Sequence, residues 1–350
     1  MLDFYKGKKV FVTGHTGFKG SWLCTMLKTA GAVVTGYALE PSTNPNLFTL
    51  AGVADGMNSV IGDIRDYEKL KKAFDDAAPE IVIHMAAQPL VRTSYEEPAY
   101  TYETNVMGTV NILERVRNSK CVKSFLNVTT DKVYENTETG RGFTEDDKLD
   151  GYDPYSNSKS CSELVTHSYK KSFLDAGGIA VSTARAGNVI GGGDFSDNRI
   201  IPDCVKAAIS GETVIVRNPD SVRPFQLVTE PLLAYLKILQ ATYDDPSKAG
   251  YFNIGPEDTD CVTVRELVEC FCSEWDKGTE WKCVPDGGPH EAGLLRLDCA
   301  KIKREMGWKP VTDIREAIAS TVRWSKAYAG GENMRDVTER EILMHLPEKD

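Results

Sequence analysis

The sequence predicts an α/β protein with a doubly wound parallel sheet and a smaller C-terminal α/β domain, and two observations support this fold class. Short β-rich runs alternate with amphipathic stretches up to about residue 190, and the alternation stops at Gly191-Gly192-Gly193. A glycine triplet also separates the first predicted strand from the first predicted helix, as in many sheets of this kind. We therefore expect a first domain at residues 1–190 and a second at 191–350, with some elements crossing this boundary.

The predicted elements of the first half have the spacing of successive β–α–β units. The strands are expected at 8–13, 32–37, 80–85, 123–129 and 179–184, and the helices at 18–30, 67–77, 99–118 and 155–174. The second half mixes strands at 213–217 and 251–254 with helices at 231–243 and 263–275. Because parallel sheets bind ligands beyond the carboxyl ends of their strands, we expect the functional site in the loops that follow the strands.

The overall charge of the chain argues against a nucleic-acid partner. Lysine and arginine total 41 against 51 aspartate and glutamate, a formal net charge of −10, so the surface as a whole repels polyanions. No apolar run reaches the length of a membrane span, and the first residues (MLDFYK) are not a signal peptide. We expect a cytoplasmic protein without a membrane partner, in which local arginines and backbone N–H groups bind any anionic ligand.

The nine cysteines and five histidines show no metal-binding pattern. Cys270 and Cys272 form the only close cysteine pair, and Cys-x-Cys by itself is a weak zinc signature. Most cysteines lie among apolar neighbours, so we expect buried structural thiols. His290 and Glu291 have no third ligand nearby, and we interpret them as structural residues or as part of a pocket wall.

The glycine triplet lies in Gly14-His15-Thr16-Gly17-Phe18-Lys19-Gly20, immediately after the first predicted strand. Glycines at these positions allow a tight turn and a close approach of the backbone to a pyrophosphate. The N-terminus of the following helix supplies N–H donors and positive potential. The loop therefore predicts a dinucleotide-binding site at residues 14–19, with a purely structural turn as the alternative.

Positions after the second strand, and after a further strand that ends before Gly62, indicate which dinucleotide binds. The second strand ends near Ala38, where an acid often contacts the adenosine ribose, and Glu40 is the nearest carboxylate. No arginine lies nearby to bind a 2′-phosphate, so NAD is favoured over NADP. We expect Asp63 and Ile64 to contact the adenine end, although Asp63 could instead cap a helix.

Small or hydroxyl-bearing residues follow the next two strands. Ala86 and Ala87 would let the cofactor lie against the backbone, and Thr129 and Thr130 end the strand at 123–129. We expect Thr129 to contribute to cofactor binding and Thr130 to catalysis.

Tyr155 and Lys159 lie four residues apart on a predicted helix, so both side chains point into the same space. A free tyrosine titrates near pH 10 and is a poor base at neutral pH. An ammonium about 4 Å from the phenol would lower its pKa by up to about three units before screening. This pair therefore predicts a tyrosine base assisted by a lysine, although an exposed helix face is the common alternative for Tyr-x-x-x-Lys.

These motifs together resemble the extended short-chain dehydrogenase/reductase family of nucleotide-sugar enzymes, over nearly the whole chain. Particular strings are similar to the CDP-glucose 4,6-dehydratases of that family, namely GHTGFKGSWL at 14–23, TDKVYEN at 130–136, AGNVIGGGD at 186–194, RNPD at 217–220 and VRP at 222–224. The family usually has Trp and His where this chain has Phe225 and Leu227. The resemblance implies a Rossmann-like NAD-binding domain, CDP-glucose as substrate, and a homodimer or dimer of dimers paired through 99–118 and 155–174. It also implies a place in dideoxysugar biosynthesis for a surface polysaccharide.

The resemblance also implies the roles of the catalytic residues. Tyr155 would remove the proton of the sugar C4 hydroxyl while NAD takes the C4 hydride, with Thr130 hydrogen-bonding and Lys159 holding the ribose and the tyrosine. We assign Asp131 as the acid that protonates the departing C6 hydroxyl and Lys132 as the base at C5. Lys132 stands where relatives acting on dTDP- and GDP-sugars have Glu, and it must lose its proton to act as a base.

Arginine and asparagine side chains are the candidates for binding the substrate diphosphate, because the arginine fork suits phosphate oxygens. They are Arg185, Asn188, Asn198, Arg199, Arg217, Arg223 and Arg296. Arg223 and Arg296 match diphosphate-binding positions of the family, whereas each arginine taken singly could be a solvated surface residue.

Three other functions remain open at this point. A dTDP- or GDP-sugar 4,6-dehydratase would share Thr130, Asp131, Tyr155 and Lys159, although relatives acting on those sugars have Glu in place of Lys132. A nucleotide-sugar 4-epimerase would share Tyr155 and Lys159 but has no use for Asp131 and Lys132. An NAD-sensing regulatory protein would have no reason to keep Thr130, Tyr155 and Lys159 together.

Overall fold

The structure is a computed structural model, and it describes residues 2–136, 140–276, 278–285 and 295–346. The strands in the described ranges are β1 (Lys9–Thr13), β2 (Val33–Ala38), β3 (Asn58–Ile61), β4 (Ile81–His84), β5 (Ser124–Val128), β6 (Ala180–Ala186), β7 (Val189–Ile190), β8 (Val214–Val216), β9 (Val222–Pro224), β10 (Gln226–Leu227), β11 (Tyr251–Ile254), β12 (Cys261–Thr263) and β13 (Trp281–Cys283).

The helices are α1 (Phe18–Thr29), α2 (Leu47–Leu50), α3 (Tyr67–Ala77), α4 (Val91–Glu96), α5 (Pro98–Tyr102), α6 (Gly108–Arg117), α7 (Pro154–Tyr169), α8 (Ile200–Ser210), α9 (Thr229–Asp244), α10 (Val264–Trp275), α11 (Ala300–Met306), α12 (Ile314–Ala329) and α13 (Met334–Met344). Short 3₁₀ turns occur at Leu2–Tyr5, Asp131–Val133, Pro246–Lys248 and Asp258–Asp260. Two π turns occur at Glu103–Met107 and Lys170–Leu174.

A seven-stranded parallel sheet forms the centre of the molecule, in the order β11-β6-β5-β4-β1-β2-β3. From β1 the chain continues outward through β2 and β3, and it then crosses to β4 on the other side of β1. The carboxyl ends of β1 and β4 therefore flank the point where the strand order reverses, which is where sheets of this kind bind ligands. The predicted fold class, a Rossmann-like doubly wound sheet, is confirmed.

The second half of the chain contributes to this sheet. β11 pairs in parallel with β6, and α9 packs against β5 and β6 with Leu232, Leu236 and Leu239 fully buried. The remaining strands of the second half form small two-stranded sheets around a second core, in which Val214, Leu267, Phe271 and Ile318 are buried. The expected crossing of elements over residue 190 is thus present in the structure, while the functional division into two domains stays a prediction.

Two of the predicted helices are interrupted. The stretch 99–118 consists of α5, the π turn Glu103–Met107 and α6, and the stretch 155–174 consists of α7 followed by the π turn Lys170–Leu174. A π turn accommodates one extra residue within a helix, so a periodicity of 3.6 residues does not reveal it. The starts of helices are more clearly marked in the sequence than these π turns. Asp66, Asp153 and Asp313 each cap a helix by accepting a hydrogen bond from the backbone N–H three residues later.

The cysteines are free thiols, and their burial varies. Cys24, Cys204, Cys272 and Cys299 are buried as predicted, whereas Cys161, Cys261 and Cys270 are only partly buried. The prediction is wrong for Cys121 and Cys283, because Cys121 lies in an exposed turn and Cys283 ends an exposed edge strand.

The described ranges lack both a cluster of metal ligands and a membrane-spanning helix. These ranges contain no group of three or more His, Cys, Asp or Glu side chains arranged to hold a metal ion. His290 and Glu291 lie outside the described residues. No helix within the described part of the chain is long and apolar enough to cross a membrane.

Candidate active site

The glycine loop packs closely against the end of β4. A Cβ atom on Gly14, whose φ is +78°, would lie 2.8 Å from the backbone nitrogen of Ala86. A Cβ atom on Gly20 would overlap the carbonyl oxygen of Gly14. Gly17, in contrast, is exposed and precedes α1 without any side chain capping that helix. The N–H groups of the first turn of α1 are therefore open to an anionic ligand such as a pyrophosphate.

The His15 side chain lies away from the exposed face of this loop, which corrects our expectation that it contacts the cofactor. The ring is fully buried, and its Nε2 atom lies 2.7 Å from the Ser59 hydroxyl. It occupies the space above Gly36, where a Cβ atom would overlap it, and it meets Phe48 edge-on. Burial lowers the pKa of His15 to about 4, so the ring is neutral at physiological pH. Only the main chain of His15 is placed to contact a ligand at the loop.

A polar cavity lies beside the exposed side of the glycine loop. Its lining residues come from three segments and are Thr16, Gly17, Phe18, Pro41, Ser42, Thr43, Asn46, Leu47, Gly193, Asp194, Phe195 and Ser196. β2 ends at Ala38 as predicted, and the following Glu40 is exposed. The Thr16 hydroxyl donates to the Leu39 carbonyl at 2.8 Å, which ties the glycine loop to the chain leaving β2.

Asp63 and Ile64, which we predicted to contact the adenine end of the dinucleotide, have unequal access to a ligand. Both carboxylate oxygens of Asp63 accept hydrogen bonds from the Arg65 side chain, at 2.7 to 3.1 Å, and Arg65 holds the pKa of Asp63 below its ordinary value. Asp66 caps α3, so the alternative that Asp63 is the helix cap is wrong. The Ile64 side chain is buried against Gly108, which leaves its main chain as the part that can face a ligand.

The residues that follow β4 and β5 also differ in their access to a ligand. Ala86 and Ala87 are partly exposed after β4, as a cofactor lying along the backbone requires. Thr129 is buried, and its hydroxyl donates to Glu163 at 2.5 Å. This bond engages the Thr129 hydroxyl inside the protein, so we correct the expectation that this side chain contacts the cofactor.

A short turn after β5 carries the predicted acid and base. Thr130 caps the 3₁₀ turn Asp131–Val133, and its hydroxyl donates to Asp131 Oδ1 at 2.9 Å. Lys132 Nζ lies 3.4 Å from the same oxygen, and the Lys132 side chain is one-third exposed. Asp131 is almost fully buried, and its Oδ2 atom has no hydrogen-bond partner among the described residues. The turn thus presents one unsatisfied carboxyl oxygen and one reachable amine next to each other.

Helix α7 brings Tyr155 and Lys159 to this turn. Tyr155 hydrogen-bonds with Thr130, and burial raises the pKa of Tyr155 to about 12. Lys159 Nζ donates to the Val128 carbonyl at 3.1 Å, and burial lowers the pKa of Lys159 to about 7, with Lys19 lowering it further. Our expectation that Lys159 depresses the pKa of the phenol is therefore wrong for the protein without ligands. Desolvation is the main influence on the pKa of both Tyr155 and Lys159, because the pair lies in a largely dry site.

Lys19 also belongs to this cluster, although its position in the sequence suggested only a role in the glycine loop. Its charge interacts with those of Asp131, Lys159 and Arg199, and burial lowers the pKa of Lys19 to about 8. Arg199 in turn lies close enough to Tyr155 to lower the pKa of the phenol. Lys19 therefore acts on Asp131 and Arg199 on Tyr155, and the charge of these two side chains is opposite in sign to the net charge of the chain.

The predicted substrate-binding residues fall into two groups in the second half of the chain. In the first group, Arg199 contacts the buried Asp194 at 3.1 Å. Arg217 donates to Asn198 at 3.1 Å and lies 3.5 Å from Asp203. Asn198 has a left-handed backbone conformation, with a φ of +61°.

The second group lies near β9, which carries Arg223. Pro224 of the same strand packs on Gly187, and a Cβ atom on Gly187 would lie 3.3 Å from Asp131 Oδ2. β9 pairs with β12, and Arg296 interacts electrostatically with Cys261 of β12. The buried Nε atom of Arg296 has no hydrogen-bond partner among the described residues. β9 therefore lies near the catalytic turn at residues 131–133 through Pro224 and Gly187, and Arg296 lies near β12, the partner strand of β9.

Other residues near these groups are covered to different extents, Asn188 partly and Phe225, Leu227 and Arg185 fully. Asn188 lies beside β7, where its backbone carbonyl accepts a hydrogen bond from Gln226. Phe225 and Leu227, the two departures from the usual family residues, are buried in the second core. Arg185 is buried and paired with Glu163, so the structure does not support our expectation that it binds an anionic ligand. Glu163 was not among our candidates, although its position four residues after Lys159 on the same helix face was a usable signal.

Comparisons with known proteins agree with this geometry. The family model described as GDP-mannose 4,6 dehydratase matches residues 11–321. A CDP-glucose 4,6-dehydratase of Salmonella typhimurium (strain LT2) is 46% identical over 354 aligned positions, which cover 99% of each chain. A dTDP-glucose 4,6-dehydratase of Xanthomonas campestris pv. campestris is 29% identical, covering 89% of this chain and 92% of the relative.

Solved structures share the fold. The dTDP-glucose 4,6-dehydratase of Bacillus anthracis, crystallised with NAD, gives a TM-score of 0.78 at 24% identity and covers 93% of this chain and 99% of its own. The UDP-glucose 4-epimerase of Thermus thermophilus, also in complex with NAD, gives a TM-score of 0.78 at 25% identity and covers 91% and 98% of the two chains.

Proposed function

The chain belongs to the GDP-mannose 4,6-dehydratase family of extended short-chain dehydrogenases/reductases, and from this premise we propose that it converts CDP-glucose to CDP-4-keto-6-deoxyglucose and water. One observation carries the proposal beyond family membership. The Asp131–Lys132 pair lies directly beside the hydrogen-bonded Thr130 and Tyr155. A 4,6-dehydratase needs an acid and a base for C5 and C6 next to the group that deprotonates the C4 hydroxyl, whereas a 4-epimerase needs only the latter.

The residues of the site fit NAD. The exposed Gly17 and the uncapped start of α1 would hold the pyrophosphate, and the close packing of Gly14 on Ala86 leaves room for a cofactor above the strand ends. Asp63, the main chain of Ile64, and Ala86 and Ala87 would contact the adenosine half, and Lys159 would hold the nicotinamide ribose. NAD bound there would supply the redox chemistry, by taking hydride from C4 and returning it to C6.

Tyr155 would act first, as the base for the C4 hydroxyl. Its hydrogen bond with Thr130 places the phenol at the catalytic turn, and this hydrogen bond and the charge of Arg199 both favour its ionised form. Loss of the hydroxyl proton to Tyr155 accompanies oxidation of the sugar to a 4-ketone. The ketone then makes the neighbouring C5 proton acidic.

Asp131 and Lys132 would carry out the elimination and the return of the proton. Lys132 takes the C5 proton, and Asp131 protonates the departing C6 hydroxyl through Oδ2, the oxygen without a partner in the described structure. Water leaves, and Lys132 gives its proton back to C5 as C6 is reduced. The proton that Tyr155 gained balances the one that Asp131 lost, so a transfer between them through solvent restores the enzyme.

The diphosphate of the substrate would lie against Arg199, Arg217, Arg223 and Arg296, with Asn188 and Asn198 as neutral partners. A local concentration of arginines can bind a nucleotide diphosphate even though the net charge is −10. Arg199 is the best supported of these residues, because it acts electrostatically on Tyr155 and Lys19.

A product assay across four substrates tests this function. Enzyme incubated with NAD and CDP-glucose, without added reductant, should form a 4-keto-6-deoxy sugar, and deuterium placed at C4 should appear at C6. dTDP-, GDP- and UDP-glucose should react much more slowly. Turnover of one of these with CDP-glucose inert would overturn the nucleotide assignment, and deuterium retained at C4 of an epimerised sugar would indicate an epimerase.

We also infer a homodimer formed through α5–α7. Met107, Leu164 and Phe173, which lie in these helices or in the π turns that interrupt or follow them, are 50%, 55% and 41% exposed, a high exposure for large apolar side chains. A second copy of the chain would cover them. Sedimentation of the wild-type protein and of Leu164→Lys should show a dimer that weakens in the variant.

A further inference from the structure

A buried ion pair that the reaction scheme does not use lies directly beneath the catalytic residues. Glu163 lies one helical turn beyond Lys159 on α7, and Arg185 lies on β6. Their side chains are 1% and 3% exposed, and their charged groups are 3.0 Å apart. A buried ion pair is retained only when its hydrogen bonds are nearly complete, so the partners of these two residues are informative.

The Glu163 carboxylate accepts four hydrogen bonds. Oε1 accepts from the Thr129 hydroxyl at 2.5 Å and from Arg185 Nε at 3.0 Å. Oε2 accepts from the Thr183 hydroxyl at 2.8 Å and from Arg185 Nη2 at 3.0 Å. Thr129 is the residue that precedes the catalytic Thr130. Glu163 therefore holds the chain where it enters the catalytic turn.

Arg185 holds the chain where it leaves that turn. Its remaining nitrogen, Nη1, donates to the Tyr134 hydroxyl at 2.8 Å and to the Glu145 carbonyl at 3.2 Å. The Tyr134 hydroxyl donates in turn to Asn253 of β11 at 2.6 Å. Tyr134 lies two residues after Lys132, so the single ion pair is bonded to both sides of the segment that carries Thr130, Asp131 and Lys132.

We propose that the Glu163–Arg185 pair is a positioning unit, which fixes the catalytic turn against α7 so that one bound sugar meets Tyr155 at C4 and Asp131 and Lys132 at C5 and C6. The inference rests on the proposed function. Tyr155 lies on α7, whereas Asp131 and Lys132 lie on the catalytic turn. A displacement of about 1 Å between reacting groups can slow a reaction by about a hundredfold. The ion pair restrains both α7 and the catalytic turn through the Glu163 carboxylate, which accepts four hydrogen bonds.

The charge of Glu163 has a second effect on the site. It lies close enough to Lys159 to raise the pKa of that lysine, against the stronger lowering by burial and by Lys19. Loss of the charge would therefore move the pKa of Lys159 further down. Substitutions that remove only a hydroxyl partner leave this charge in place and separate the positioning role from the electrostatic one.

Three substitutions with the same chemistry test the proposal. Thr129→Val and Tyr134→Phe each remove one hydroxyl that connects the pair to the catalytic turn. Thr183→Val is the matched control, because it removes an equivalent donor to the same carboxylate from β6, away from the turn. We expect Thr129→Val and Tyr134→Phe to lower kcat by about tenfold or more with little change in KM for CDP-glucose.

The proposal also predicts which step slows. If the turn is displaced from the sugar, elimination lags behind oxidation at C4, and the absorbance of reduced nicotinamide should rise during turnover in Thr129→Val and Tyr134→Phe. The Thr183→Val control should show neither the lower kcat nor the rise in the absorbance of reduced nicotinamide. The thermal unfolding midpoint of each ligand-free variant shows whether the three substitutions destabilise the protein to a similar extent.

The outcomes separate this inference from the proposed function. Equal losses of kcat in all three variants, or wild-type kcat in both Thr129→Val and Tyr134→Phe, would overturn the positioning role. If the wild-type enzyme fails to convert CDP-glucose while converting another nucleotide sugar, the proposed substrate is wrong, and the same three variants assayed with that sugar still decide the positioning role.

Discussion

Helix α7 carries two buried charges one turn apart, Glu163 and Lys159, and their surroundings differ. The Glu163 carboxylate accepts four hydrogen bonds and faces the buried Arg185. Lys159 donates to the Val128 carbonyl, its one hydrogen-bond partner among the described residues, and its charge is opposed by Lys19. A charge that holds the fold together has its partners inside the protein, whereas a charge used in chemistry is left for the ligand to satisfy.

Asp131 and Glu163, the two carboxyl groups nearest the sugar site, show the same contrast. Both are almost fully buried, yet only Asp131 keeps an oxygen without a partner in the described part of the chain. That oxygen is available for proton transfer, and the saturated oxygens of Glu163 are not. The following predictions test this division between structural and catalytic charges.

The largest effect is expected for Tyr155→Phe. Removal of the phenol hydroxyl takes away the base for the C4 hydroxyl, and general bases contribute roughly 10²- to 10⁴-fold to rates. We expect kcat to fall by that range, while NAD binding measured by fluorescence titration is retained. Tyr152→Phe is the matched control, because Tyr152 is 86% exposed three residues earlier. Comparable activity of the two variants would remove Tyr155 from the mechanism.

Glu163→Gln should mainly affect stability. The substitution leaves Arg185 buried without a counter-charge, and breaking a buried ion pair in this way costs about 3–5 kcal/mol. We expect the urea midpoint of unfolding to fall accordingly. Asp76→Asn, which breaks the exposed Lys72–Asp76 pair on α3, should leave the midpoint nearly unchanged. A small effect at Glu163 would contradict its assignment as a structural charge.

Lys159→Met should have the opposite effect on stability, and the effect should depend on pH. The pKa of Lys159 is about 7 in the folded protein against its ordinary value of 10.5, so the unfolded chain binds more protons between these values. Protonated Lys159 therefore destabilises the fold at pH 7 by a few kcal/mol, and this cost disappears as pH rises toward 10. Unfolding of the ligand-free proteins should show Lys159→Met more stable than wild type at pH 7 and similar at pH 10. A constant difference across this range would contradict the assignment.

Arg199→Gln should have the smallest effect. Loss of one diphosphate contact should raise KM for CDP-glucose by about tenfold, which corresponds to about 1.4 kcal/mol. Because Arg199 lowers the pKa of Tyr155, the pH dependence of kcat should also move to higher pH. Arg304→Gln, on the exposed surface of α11, should change neither quantity. An unchanged KM and pH profile in Arg199→Gln would place Arg199 outside the site.

Some parts of the site were predictable because they depend on short stretches of chain. The four-residue spacing of Tyr155 and Lys159 on one helix, and the glycine loop between β1 and α1, are local patterns that the structure reproduces. Thr130 and Asp131 follow directly from the end of β5, as the predicted strand at 123–129 indicated, and their catalytic roles stay predictions. Most strands and helices of the first half were predictable from hydrophobic alternation, whereas the short helices α2 and α4 were not among the predicted elements.

Other parts were not predictable, because they depend on contacts between distant segments. His15 was expected at the cofactor but fills the space above Gly36, 21 residues later in the chain. Arg185 was expected at the substrate but is neutralised by Glu163, which lies on a different element. The charge of Lys19 acts on Asp131, and nothing in the spacing of the two residues indicates this electrostatic interaction.

The sequence by itself determined the alternation of strands and helices, the glycine loop, and the identity and spacing of the groups that can do the chemistry. The tertiary structure alone decided that β11 and α9 complete the sheet from the second half, and which charges face the site. It also decided their protonation, because desolvation depends on how many other segments cover a group. For this reason Tyr155 has a raised pKa and Lys159 a lowered one, where their spacing alone suggested a phenol made more acidic by its lysine neighbour.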